Sequence, residues 1–138
     1  DMILIIAGNQ IIKQNVLDST KYGVFNVHSS LLPDYRGLMP TFWVLKNDEQ
    51  KTGVTLYQLT EGIDDGPIIS SKTFIIPKNM TQSELIRKLK LFANDLIIDD
   101  IELIKHKENY IECEGGSYFK FPTKEDVEEY RRKKKRFY

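Results

Sequence analysis

One cysteine, Cys113, stands in 138 residues, so the chain can close no internal disulfide and build no cysteine-based zinc site. A reducing compartment is the economical setting. Net charge is lacking too, since 20 Lys and Arg balance 20 Asp and Glu, and this argues against a dedicated nucleic-acid binder held by bulk electrostatics. No apolar run approaches the roughly 20 residues of a membrane span. The opening DMILIIAG has neither a basic flank nor a small-residue cleavage site. Repeats, low-complexity tracts and interior linkers are missing as well. What remains is 41% hydrophobic and 29% charged, the profile of one globular domain, residues 1–138, able to bury a core, with a cytoplasmic location as the expectation.

MILIIA, residues 2–7, is a continuous apolar run closed by Gly8 and Asn9, which suits a strand buried on both faces of a parallel sheet. QIIKQNVLDSTKYG follows with Ile11, Ile12, Val16 and Leu17 at helical spacing, and then VFNVH. Strand, helix, strand in that order predicts a βαβ unit. Pro40 suits the first turn of a helix over PTFWVLKND. GVTLYQLT and IISSKTFII are β-rich and separated by only seven residues, EGIDDGP, too few for a parallel crossover, so they should pair antiparallel. Thr81 with Glu84 predicts a capped helix over 82–105, and Thr123 with Asp126 a shorter one ending in RRKKKR. Because a strand of buried type begins at residue 2, the chain is expected to lack strands on its N-terminal side, and the bare edge would invite dimerisation.

The chemistry concentrates in FNVHSSLLPDYRG. Residues two apart in a strand share a face, so Val24, Asn26 and His28 lie on one side, with Phe25 and Val27 on the other. The polar pair sits at the strand's carboxyl end, where open α/β sheets bind ligands. His28 can donate, accept or carry charge near neutrality, and Asn26 offers a donor and an acceptor that do not ionise. Together they could hold an oxyanion. A satisfied core histidine and a turn asparagine explain the same two residues. Asp64, in a loop flanked by Gly62 and Gly66, adds a partner for His28 that could relay a proton, giving an acyl-transfer site with no metal. A Gly-rich turn with adjacent Asp residues can also be simply a turn.

NVHSSLLPDYRG and TGVTLYQLTEGIDDGPII resemble, in order and separation, two segments of the folate-dependent formyltransferases. The resemblance covers residues 1–107, and more loosely GSYFKFPTKED in an extension, 108–138. It implies a Rossmann-like α/β domain with a mixed, mostly parallel sheet, apparently lacking its N-terminal strands, that moves a formyl group from 10-formyltetrahydrofolate to an amine. The amine would belong to a nucleotide aminosugar or methionyl-tRNA. Carried over by position, Asn26 and His28 would stabilise the oxyanion, Asp64 would assist proton transfer, and Ser30 would hold structure by hydrogen bonding. Ile63, Asp64 and Asp65 would line the pterin pocket, with Ile11 and Ile12 as further pterin contacts or, equally well, ordinary helix core.

Two other functions fit the same residues, a non-catalytic folate-binding or partner-binding remnant and a formyltetrahydrofolate hydrolase that uses water as acceptor. The basic run at 131–136 could grip RNA or acceptor phosphates. The preferred reading is a solvated helix end complementing the helix dipole. His106 and Cys113 have no partner at metal-ligand spacing.

Overall fold

The computed structural model describes residues 1–6 and 12–138. Four strands form the main sheet in the order β1 (Ile3–Ile6), β2 (Val24–His28), β4 (Lys51–Gln58), β5 (Ile68–Ile75). β1 and β2 are parallel, while β4 runs antiparallel to both β2 and β5. Three of the four strands therefore point the same way and β4 alone runs counter, so the sheet is mixed. The expected β4–β5 pairing is present, joined by the short loop that carries Asp64.

β2 buries one apolar face in the main core. Phe25 and Val27 enter the main core with Val54 and Leu56 of β4, and this face is covered by α2 (Pro40–Lys46) and α3 (Gln82–Asp100). Leu85, Leu89, Ala93 and Leu96 of α3 recur at three- and four-residue spacing and are all buried. Each fully buried leucine is worth about 1.5–3 kcal/mol, so this stripe dominates what holds α3. The Thr81–Glu84 capping box is present in both directions. The α-helix stops at Asp100 and continues as a 3-10 segment over Ile101–Lys105, short of the single helix expected over 82–105. No basic residue occupies the last α turn, where Asp99 and Asp100 instead set negative charge against the carbonyl end of the dipole. Of the helix expected after β1, residues 7–11 lie outside the described residues, and α1 is one turn, Gln14–Leu17.

The C-terminal segment packs onto the body. β3 (Arg36–Gly37) pairs in parallel with β6 (Tyr118–Phe119), Trp43 Nε1 donates to the Lys120 carbonyl at 3.1 Å, and Phe119 stacks on both Trp43 and Tyr35. α4 (Lys124–Arg132) carries its expected Thr123–Asp126 cap. Arg131 and Arg132 of the basic run stand in its last turn and the run is exposed at every position but Lys135, as expected, although two of its lysines are paired. Lys133 and Lys135 both reach the Asp48 carboxylate, at 2.8 and 2.7 Å. The carbonyls of Arg136 and Phe137 accept from Gln82 N–H and Ser83 N–H, satisfying donors that the α3 N-terminus leaves open.

Buried Lys46, at the end of α2, holds α4 through Asp126 at 3.1 Å and Glu129 at 2.7 Å. Glu129 is the main cause raising the Lys46 ammonium. The Thr123 backbone N–H and then Lys46 hold the Asp126 carboxyl below its usual range, and Lys46 does the same for Glu129. Carboxylates lowered in the folded state contribute stability that is present above about pH 4 and lost as pH falls through their folded values. The raised ammonium contributes below about pH 10.5 and is lost above it. On acidification the α4 resonances in an NMR titration are expected to move toward random-coil positions below about pH 4, before those of α3. Simultaneous loss of both helices would show that Lys46 does not govern the docking.

Candidate active site

The second face of β2 carries Asn26 and His28. In the antiparallel register Asn26 stands opposite Tyr57, and His28 opposite Thr55. This face is roofed by the loop after β2 and by the β4–β5 loop, with Leu32, Tyr57 and Ile68 as a small apolar floor.

His28 is buried, 6% exposed. Its Nε2 lies 2.8 Å from the Tyr35 carbonyl; a carbonyl only accepts, so Nε2 carries a hydrogen and donates it. Tyr35 is held on several sides: its N–H donates to Ser117 Oγ at 2.9 Å, its hydroxyl donates to Glu49 at 2.7 Å, and its ring stacks on Phe119. Burial, then the Glu49 bond, pushes that phenol up to about 12. The anchored carbonyl thereby fixes the ring of His28, and Nδ1 has no hydrogen bond among the described residues. Nδ1 lies 3.6 Å from Asp64 Oδ2, an electrostatic neighbour at a distance beyond a hydrogen bond.

Asp64 is brought there by its backbone, φ +50°, a left-handed conformation that Asp tolerates. Gly37 N–H donates to its Oδ2 at 2.8 Å, and the Tyr57 hydroxyl donates to its Oδ1 at 2.5 Å. The same hydroxyl accepts from Asn26 Nδ2 at 3.0 Å. Among the described residues Asn26 Oδ1 is buried with no hydrogen-bond partner, and one Nδ2 hydrogen is left over.

The structure thus brings Asn26, His28 and Asp64 into one cluster. Asp65 is exposed and turned away, its Oδ1 accepting from Thr60 at 2.6 Å. Ile63, 44% exposed, stands beside Asp64 at the surface of the loop. Ile12 is half-buried ahead of α1, and Ile11 lies outside the described residues. Ser30 is fully buried and donates to the Asp34 carbonyl at 2.7 Å, a bond that orders the loop. Tyr57, Gly37 and the Tyr35 carbonyl were not singled out from sequence. Tyr57 looks there like an ordinary strand former, and only the register opposite Asn26 distinguishes it. No group of three or more His, Cys, Asp or Glu that could hold a metal occurs among the described residues.

The formyl transferase family profile matches residues 1–101. By sequence the chain is 35% identical over 121 residues to the methionyl-tRNA formyltransferase of Clostridioides difficile strain 630, covering 88% of this chain and 39% of that protein. By structure it is similar to the formyltransferase PseJ from Anoxybacillus kamchatkensis, solved with UDP-4,6-dideoxy-4-formamido-L-AltNAc and tetrahydrofolate. The TM-score is 0.79 at 28% identity, over 96% of this chain and 69% of that one. It is also similar to WlaRD, a sugar 3N-formyl transferase solved with dTDP and 5-N-formyl-THF, with TM-score 0.76 at 29% identity, over 85% of this chain and 43% of that one. The chain spans about a third of the length of the curated methionyl-tRNA formyltransferases it matches.

Proposed function

The chain belongs to the formyl transferase family, and from that premise we propose that it serves transfer of a formyl group from 10-formyltetrahydrofolate to a primary amine, that of a nucleotide aminosugar or of methionyl-tRNA. The observation that carries the reading is a histidine with one nitrogen fixed by a backbone carbonyl and the other without a hydrogen bond among the described residues, beside a carboxylate held by two donors. The names of the relatives support the two acceptor classes, and the folates in the PseJ and WlaRD structures support the donor.

The residues fit such a donor. Asn26 offers a buried acceptor, Oδ1, that has no partner among the described residues, and Ile63 offers exposed apolar surface next to Asp64. Asn26, Ile63 and the loop around Asp64 would hold the folate, which supplies an activated formyl group. As the imidazolium, with its Nε2 hydrogen held by the Tyr35 carbonyl, His28 donates from Nδ1 to the formyl oxygen as negative charge builds there, a role worth about 3–4 kcal/mol for a well-placed donor. Asn26 adds the amide hydrogen that Tyr57 leaves unused. Asp64 takes the proton of the attacking amine through water, a contribution of about a hundred- to ten-thousandfold. The single charge on Asp64 serves the proton and the histidine together.

The reading is tested by incubating the full-length protein with 10-formyltetrahydrofolate and, separately, a nucleotide aminosugar or methionyl-tRNA. The expected result is a formylated amine with one of them and none when His28 is replaced by Ala. Folate binding without turnover on any amine, or release of formate with water as the only acceptor, would overturn it.

A further inference from the structure

We propose that Tyr57 is a positioning residue of this site, its hydroxyl setting which way Asn26 faces and where Asp64 is held. The proposal rests on the formyl-transfer reading above. A phenol has one hydrogen. At 2.5 Å from a carboxylate oxygen that can only accept, that hydrogen is committed to Asp64. The phenol oxygen can then only accept from Asn26, so the amide must present Nδ2 to it at 3.0 Å. Oδ1 is left on the other side of the amide, buried and without a partner among the described residues. The direction of one proton therefore decides which end of Asn26 is offered to a ligand.

The ring that carries this hydroxyl has no freedom to move. Tyr57 is fully buried, packed with Leu32 and Ile68, and paired across the sheet with Asn26. Burial, reinforced by the Asp64 charge, pushes the phenol well above its ordinary range, so it remains a donor at any working pH. Without the hydroxyl, the Asn26 amide loses the group that orders it, and the Asp64 carboxylate keeps, among the described residues, the Gly37 N–H as its hydrogen-bond donor. The carboxylate is then free to close the 3.6 Å separation from His28 Nδ1 and occupy the nitrogen that the reaction needs.

Tyr57→Phe removes the hydroxyl and keeps the ring. In the full-length protein kcat is expected to fall about ten- to hundredfold, the loss typical of one hydrogen bond to a charged group, with KM for folate and amine within about threefold of the unsubstituted values. A merely structural tyrosine would lower stability and leave kcat per folded molecule unchanged. Proton NMR supplies a readout independent of turnover. A far-downfield, slowly exchanging hydroxyl resonance is expected in the unsubstituted protein, lost in Tyr57→Phe and moved upfield in Asp64→Asn. Turnover of Tyr57→Phe within about twofold of the unsubstituted protein, or absence of that resonance, overturns the positioning role while formyl transfer stands. Absence of formyl transfer in the unsubstituted protein overturns the activity reading and the positioning role with it.

Discussion

Asp64→Asn in the full-length protein is expected to lower formyl transfer at least about a hundredfold while folate and amine affinities change far less. The substitution keeps size, and Asn tolerates the φ of +50° that the loop requires, so the backbone has no reason to move. What changes is chemistry. The carboxylate accepts from Gly37 N–H on one oxygen and from the Tyr57 hydroxyl on the other; an amide can accept on only one of these sides. With its oxygen toward Gly37, its NH2 meets the phenol and obliges that hydroxyl to donate to Asn26 instead, reversing the order of the site. In either orientation no ionised group remains to take the amine proton. Asp65→Asn, by contrast, alters an exposed side chain bonded to Thr60, and the cost should stay well under tenfold, in keeping with substitutions away from special features. Parallel measurement of kcat and KM for the two variants checks the assignment. Equal losses, or a larger loss at Asp65, would place the reactive carboxylate one residue further along the loop.

The contrast between these neighbours separates what local sequence determines from what only the fold determines. Strand alternation is enough to put Asn26 and His28 on one face, because side-chain direction in a strand depends only on parity. The seven-residue gap is enough to make β4 and β5 antiparallel, because a parallel return needs more chain. The capping boxes at Thr81 and Thr123 are local in sequence and appear where they are expected. What brings Asp64 to His28 is not local. It depends on one left-handed residue in a loop and on the N–H of Gly37, which lies 27 residues away in sequence. The orientation of His28 depends on the Tyr35 carbonyl, held in turn by Ser117, 82 residues distant. Two-residue strands such as β3 and β6 leave no periodicity to detect, and the basic run shows its charge but not that Asp48 lies within reach of Lys133 and Lys135.

Gly37 links that distant pairing to the chemistry, and Gly37→Ala is expected to damage both. The residue sits at φ +93°, and a Cβ added there would lie 2.2 Å from the Phe119 carbonyl oxygen and 2.8 Å from the Tyr118 ring. The neighbour is backbone, already bonded to Leu38 N–H, so it cannot swing aside as a side chain could. Either β3 parts from β6 or the turn shifts, and both outcomes move the N–H that holds Asp64 Oδ2. The strained backbone and the forced separation together should cost about 2–4 kcal/mol of stability. A carboxylate displaced by about 1 Å from its working position can cost about a hundredfold in rate, and a loss of that order in kcat is expected from molecules that remain folded. Gly115→Ala is the appropriate comparison, because its φ is also positive, +70°, but nothing lies within 4 Å of the added Cβ. It carries the strain alone, about 1 kcal/mol, and should turn over at the unsubstituted rate. Denaturant titration and kcat measured on the two variants separate strain from displacement. If Gly37→Ala proves no worse than Gly115→Ala in both measurements, the close approach to Phe119 does not position Asp64.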